Sequence, residues 1–172
     1  MLIGVMSDSH DNTQNVRRAL EIFRDEGVDL IVHLGDIVSP FTLKLIAEEA
    51  SKTGVKVEAV FGNNCGEKPG LLKVASKTGV TLGDPPRILE LGDRRILLLH
   101  GFGDKRLTRE IVDALAVSNR WDVILYGHTH EADLRRANGT LILNPGETLG
   151  FFNHPTVAVL DTERLEARIV RL

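Results

Sequence analysis

Five stretches of this chain, LIGVMS (2–7), DLIVHLG (29–35), VKVEAVFG (55–62), RRILLLHG (94–101) and DVILYG (122–127), are short and apolar along most of their length. Runs this brief do not make stable helices. In LIGVMS and DVILYG near-continuous apolar character, in place of strict alternation, marks strands buried on both faces. A chain with several such strands must cover its sheets with other layers, so the sequence points to an α/β fold.

The connecting segments supply those layers. TQNVRRALEIFRDEG (13–27) carries Val16, Ala19, Leu20 and Phe23 at helical spacing and stops at Gly27. SPFTLKLIAEEASKTG (39–54) begins with Ser39 as N-cap and Pro40 in the first turn, and ends at Gly54. GLLKVASKTG (70–79) reads as a shorter helix, and a fourth over about 105–119 presents Ile111, Ala114 and Leu115 on one face. From residue 87 hairpins take over: one closed by Gly92-Asp93, one around Asn138-Gly139, and a final strand pair within 155–172. With no linker, repeat or low-complexity tract, residues 1–172 read as one domain: a βαβαβα half, an antiparallel-rich half and two packed sheets flanked by helices.

The strands end in residues that can bind metals. The first ends in Asp8 and His10, the second in Asp36, the third in Asn63 and Asn64, the fourth in His100, and the fifth in His128 and His130. Functional sites of α/β sheets form outside the carboxyl ends of strands, where these loops can converge. Each residue alone has a plainer reading: Asp8 could cap the first helix, Asn63-Asn64 could be turn amides, Asp36 a loop acid and His100 a hairpin-end histidine. Coincidence at five strand ends argues instead for a metal site. Carboxylates, imidazoles and an amide oxygen exceed what one tetrahedral zinc uses and suit two divalent ions, with Mn2+ or Ni2+ favoured and Fe2+, Zn2+ or Co2+ admitted. Two such ions need a shared anionic ligand, and Asp36 beside Gly35 suits that role.

Asp8-x-His10, Gly35-Asp36, Gly62-Asn63-Asn64, His100-Gly101, Gly127-His128-Thr129-His130 and the NPGE at 144–147 together resemble the calcineurin-like metallophosphoesterase superfamily, specifically its small stand-alone prokaryotic phosphodiesterases. The resemblance implies a four-layer α/β/β/α sandwich with two mixed sheets. It implies that Asp8, His10, Asp36 and His130 hold one ion and that Asp36, Asn63, His100 and His128 hold the other. It also implies hydrolysis of phosphate diesters by in-line attack of a metal-bridging hydroxide, with Asp36, His10 and Asn64 in the catalytic set. Two positions depart from the family. Asn64 stands where many members have a histidine that helps the leaving group; an amide can donate a hydrogen bond to a phosphoryl oxygen but passes no proton, so esters with poor leaving groups should turn over slowly. Phe102 stands where many relatives carry a second histidine. GDIVSPF also lacks the arginine of phosphoprotein phosphatases. Two alternatives remain: a non-catalytic protein-binding scaffold, as in the retromer subunit of this fold, and a phosphomonoesterase or nucleotide hydrolase.

Composition narrows the partners. Lys and Arg number 21 against 24 Asp and Glu, without a basic stripe, so there is no nucleic-acid footprint. No apolar run approaches the ~20 residues that span a bilayer, and MLIGVMSDSH has no basic n-region of a signal peptide. A single cysteine, Cys65, forms no internal disulfide and suits the cytoplasm. A small phosphodiester is the expected partner, and nothing excludes a homo-oligomer. Of the remaining residues, Asn12 reads as a helix cap, His33 as a structural histidine inside a strand, His154 as surface loop, Cys65 as a free thiol near the site that neither ion needs as a ligand, and Phe151-Phe152 as core ahead of a substrate groove or an oligomer contact.

Overall fold

The computed structural model describes residues 1–172. Its elements in chain order are β1 (Leu2–Met6), α1 (Thr13–Asp25), β2 (Leu30–His33), α2 (Pro40–Ser51), β3 (Lys56–Val60), α3 (Lys68–Thr78), β4 (Thr81–Gly83), β5 (Arg87–Leu91), β6 (Arg94–Leu98), α4 (Lys105–Val117), β7 (Val123–Leu125), β8 (Ala132–Ala137), β9 (Thr140–Pro145), β10 (Thr156–Asp161) and β11 (Glu166–Arg171).

Two mixed sheets result, ordered β11-β10-β1-β2-β3-β4 and β5-β6-β7-β9-β8. The βαβ units make β1 to β4 parallel, while β10 returns antiparallel to β1 and leads into β11. In the second sheet β6, β7 and β9 are parallel, and β5 and β8 flank them antiparallel. One apolar cluster, including Val5, Val32, Leu98, Leu125 and Leu143, fills the space between the sheets. A second lies under α1, α2 and α3 on the outer face of the first sheet, and a third under α4 on the outer face of the second. This is the four-layer α/β/β/α sandwich, with the central strands buried on both faces as their apolar runs require.

The helices follow their sequence signals, with three corrections. One is in α4, which buries Thr108, Val112 and Ala116 while Ala114 is exposed and Ile111 and Leu115 are only half-buried. Asn12 caps α1, its Oδ1 accepting from the Asn15 N–H at 3.1 Å. Ser39 occupies the N-cap position of α2, but its side chain makes no capping bond. The acceptor is Asp11, whose Oδ1 takes the Ser39 N–H, the Ser39 hydroxyl and the Thr42 hydroxyl at 3.1, 2.8 and 2.6 Å. A carboxylate borrowed from the preceding loop thus satisfies that helix start. Helix α3 begins at Lys68, two residues before the GLLKVASKTG segment, because Pro69 fits its first turn. Strand β4 had no sequence signal; Thr81–Gly83 is extended because it pairs in parallel with Glu58–Val60.

Gly4 shows how closely α1 lies on the sheet. A Cβ there would stand 2.6 Å from the Phe23 ring, which is itself buried. Gly4→Ala is therefore expected to destabilise the fold by about 1–3 kcal/mol through overpacking, read as a lower midpoint in urea unfolding; an unchanged midpoint would show that the helix shifts at no cost.

Candidate metal centre

Backbone hydrogen bonds bring the strand-end loops together. The Asp8 N–H donates to the Gly35 carbonyl at 3.1 Å, the His10 N–H to the Asp36 carbonyl at 3.0 Å, and the Gly127 N–H to the His100 carbonyl at 2.9 Å. The sheets meet where His100 Nδ1 lies 2.7 Å from the Leu34 carbonyl. Two glycines make room for this. Gly35 has φ +100° and would place a Cβ 2.5 Å from His100 Nδ1, while a Cβ on Gly62 would fall 2.1 Å from Asp36 Oδ1.

Asp8, His10, Asp36 and His130 form the first group, each offering one ligand atom within 4.8 Å of the others. Asp8 is aimed by its own hydrogen bonds. Oδ2 accepts the Ser7 hydroxyl at 2.6 Å and the His128 N–H at 3.0 Å, leaving the buried Oδ1 without a hydrogen-bond partner. His10 Nε2 is likewise buried and without a hydrogen bond. In the second group Asn63 Oδ1 lies 2.9 Å from His100 Nε2 and 2.8 Å from His128 Nδ1. Asp36 stands between the groups, its Oδ2 lying 3.4 Å from His10 Nε2 and 3.5 Å from His100 Nε2. Asn64 holds that carboxylate from both ends, its N–H donating to Oδ1 and its Nδ2 to Oδ2, each at 2.7 Å.

The ring nitrogens turned away from the centre decide which cation chemistry fits. A carbonyl or carboxylate oxygen only accepts, so His100 Nδ1 donates to the Leu34 carbonyl, His128 Nε2 to the Gly103 carbonyl at 2.7 Å, and His130 Nδ1 to Glu147 Oε2 at 2.7 Å. The inward nitrogen of each neutral ring then carries a lone pair. His100 and His128 point theirs at the same Asn63 oxygen, which also only accepts. Protonating both rings would set two imidazoliums edge to face with centroids 5.1 Å apart. A cation among these donors relieves the conflict, as it would at the unpartnered Asp8 Oδ1 and His10 Nε2. The residues therefore fit divalent metal ions, and outer partners that fix ring tautomers are how proteins orient metal ligands.

Electrostatics agree. Burial pushes the Asp8 carboxyl above its ordinary range despite the pull of His100 and the Ser7 hydrogen bond. Burial opposes ionisation at Asp36 as well, but the facing His10 and His100 rings and the Asn64 hydrogen bonds outweigh it and hold that carboxyl well below the usual range. The Asp36 carboxylate, 3.4 Å from Nε2, raises His10 against its burial. At His100 burial lowers the pKa, but Asp36 and Asp8 together carry it upward.

One participant was invisible as such in the sequence. Glu147 is fully buried and, besides orienting His130, accepts the Phe152 and Asn153 N–H groups. Its only signal was its place in the NPGE segment. His33 is a structural histidine: Nδ1 accepts the Gly35 N–H at 3.3 Å and Nε2 lies 3.0 Å from the Ser9 hydroxyl. Burial pushes its pKa down to about 3. Cys65 packs into the outer cluster, its Sγ accepting the Gly62 N–H. His154 is exposed, as a surface loop should be. Phe151 and Phe152 are not core; they are 76% and 65% exposed. Phe102 is also exposed, beside Gly103, whose carbonyl holds His128.

The chain is similar to known proteins along its length. The profile described as the calcineurin-like phosphoesterase superfamily domain matches residues 1–165. Phosphodiesterase MJ0936 of Methanocaldococcus jannaschii is 37% identical over 176 residues, covering 100% of this chain and 99% of the relative. The solved structure of an archaeal phosphodiesterase superposes with a TM-score of 0.87 at 34% identity over the whole of both chains. Vps29 of Entamoeba histolytica, solved with zinc, shares the fold alone, at a TM-score of 0.69 and 16% identity over 100% of this chain and 98% of its own.

Glu147→Gln keeps the size of the side chain but removes the charge that sets His130. Metal affinity by titration calorimetry should fall about 10- to 100-fold, and an unaltered affinity would leave Glu147 a purely structural carboxylate. His33 sets an acid limit. Its folded pKa lies below the unfolded value of about 6.5, so as pH falls below that value the unfolded chain takes up a proton that the folded one refuses. Wild-type metal-free protein should lose up to about 1.4 kcal/mol per pH unit from this group between pH 6 and 4. His33→Gln should flatten that slope in urea titrations at stepped pH.

Proposed function

The chain belongs to the calcineurin-like phosphoesterase superfamily, and we propose that its strand-end cluster is the dinuclear centre of a metal-dependent phosphodiesterase. The observation that carries this reading is Asp36 Oδ2, set between His10 Nε2 and His100 Nε2 and so positioned to be shared by both groups. In this reading Asp8, His10, Asp36 and His130 hold one divalent ion, and Asp36, Asn63, His100 and His128 the other. Mn2+ or Ni2+ is the first choice, and Fe2+, Zn2+ and Co2+ suit the same donors. Bound there, the ions would supply Lewis acidity, lowering the pKa of water and offsetting charge on the phosphoryl oxygens.

The protein's own groups position and discriminate. Asn64 fixes the Asp36 carboxylate through two hydrogen bonds. One Nδ2 hydrogen remains to donate to a phosphoryl oxygen, but an amide cannot deliver a proton to a departing alkoxide. Leaving groups that are stable as anions are therefore favoured. No lysine or arginine touches Asp8, Asp36 or Glu147; their partners are histidines, hydroxyls, amides and backbone N–H groups. Lys105 and Arg109, on the helix after the His100 loop, are occupied by Glu131. A site without a free cation suits the single negative charge of a diester better than the double charge of a monoester. The single cysteine, buried and unpaired, supports a reducing cytoplasmic setting. No helix is long and apolar enough to cross a membrane.

The test is hydrolysis of bis(4-nitrophenyl) phosphate and 4-nitrophenyl phosphate by chelator-stripped protein, before and after Mn2+ or Ni2+ is added. Activity should return with metal and favour the diester. His128→Ala and His130→Ala should each lower the restored rate by more than about a hundredfold, with the metal-free fold intact by circular dichroism. Folded protein that stays inactive with every metal would transfer the reading to a non-catalytic scaffold.

A further inference from the structure

Phe151 and Phe152 are large, apolar and left in solvent, and the loop that carries them is tied down at many points. The Thr148 and Leu149 N–H groups donate to the Ser7 and Asp8 carbonyls at 2.9 and 3.0 Å. Asn12 and Asn15 side chains donate to the Leu149 carbonyl at 2.8 and 3.1 Å. The Phe152 N–H donates to Glu147 Oε1 at 2.7 Å, and Asn153 Nδ2 donates to the His130 carbonyl at 2.9 Å. This framework sets the rings. Phe152 stands edge to face with the His130 imidazole at 5.1 Å between centroids, and Phe151 edge to face with Phe152 at 4.9 Å. The carboxylate that orients a proposed metal ligand thus also fixes where the exposed phenyl pair begins.

A group esterified to a phosphate at the centre must extend past the loops that carry these proposed ligands. Of the charged side chains nearest the Phe151-Phe152 loop, Glu147 is buried and engaged, and no lysine or arginine hydrogen-bonds to residues 148–153. The most exposed large apolar surface on this side is the phenyl pair itself. A rigid, solvent-facing ring held within one imidazole of the reaction centre is suited to stacking on a flat ring of the substrate. Resting on the phosphodiesterase reading, we propose that Phe151 and Phe152 form an aromatic platform for an ester substituent, and that the substrate class is a phosphodiester with a planar aromatic ring, a nucleobase or an aryl group, on the ester that is retained.

Two diesters with the same leaving group isolate the effect: thymidine 5′-(4-nitrophenyl) phosphate and ethyl 4-nitrophenyl phosphate. Metal-loaded wild-type protein should favour the thymidyl ester about tenfold in kcat/KM, the range in which stacking on one aromatic ring acts. Phe151→Leu, which leaves the ring on His130 in place, should reduce that preference severalfold, and Phe152→Leu should abolish it. Replacing thymidine by phenyl in the retained ester tells a nucleobase site from a general aryl site. A metal-free readout accompanies the kinetics: saturation-transfer NMR should show diphenyl phosphate, but not diethyl phosphate, receiving magnetisation from wild-type protein, and Phe151→Leu should weaken it. Equal rates for both esters and unaltered ratios in the variants would overturn the platform while leaving the diesterase intact. No metal-restored turnover of either ester would instead overturn the activity beneath it. Variants that turn a dimer into a monomer by sedimentation, with ester preference unmoved, would reassign the pair to contact between copies and end the proposal.

Discussion

Two carboxylates, Asp8 and Asp36, are buried at the seam between two sheets, at 0% and 1% exposure. Negative charge out of water is tolerable only where enough positive or donating groups surround it. Everything nearby answers that demand. Ser7 and a backbone N–H saturate one oxygen of Asp8, and Asn64 binds both oxygens of Asp36. Four imidazoles supply the remainder, yet outer acceptors hold three of those rings so that their inward nitrogens offer lone pairs. Acceptors facing acceptors is a poor way to build a core and a good way to build a cation site.

The backbone carries the cost of this arrangement. Asp8, His10, Asp36, His128 and His130 all have positive φ, between 40° and 67°. For residues other than glycine the left-handed region costs roughly 1–2 kcal/mol each, although Asp and His tolerate it better than most. Such strain persists when surrounding structure over-determines it. Here the over-determination is visible as crossed hydrogen bonds, each strand-end loop donating to a carbonyl of its neighbour. The strands are short, but between the sheets and under the helices their apolar clusters give these loops a fixed base.

The sequence reveals features that depend on period and adjacency. Apolar runs disclose the buried strands, and helical spacing discloses α1 but misplaces the buried face of α4, which is Thr108, Val112 and Ala116. Asn138-Gly139, with φ of 49° and 87°, makes the hairpin turn its dipeptide suggests. Asp8, His10, Asp36, Asn63, His100, His128 and His130 stand out as candidates in the sequence because each follows an apolar strand run, with Asp36, Asn63, His100 and His128 directly beside a glycine. Residues whose role is set by distant partners were hidden. Glu147 is an ordinary acid until folding places it behind His130. Asp11 caps a helix 28 residues away from it in the chain. Phe151-Phe152 reads as core by composition, but Gly150 turns the chain and Glu147 takes the N–H groups of Phe152 and Asn153, so the backbone faces inward and the rings face out. Strand β4 exists only because β3 offers it an edge.

The glycines beside the ligands have one more implication. A side chain on Gly62 would strike Asp36, one on Gly101 would strike His128, and one on Gly127 would strike Ser7 and approach Asp8. In each case the bare backbone of one loop is the floor on which a candidate ligand, or the hydroxyl that aims one, rests from another loop. The centre is therefore interlocked like a keyed joint, in which no piece can be reshaped alone. A lineage or an engineer seeking different donors here would have to change two loops at once, one to present the new group and another to clear its seat. Single-site drift through this corner of the fold is confined to the rim, where exposed side chains such as Phe151 and Phe152 stand.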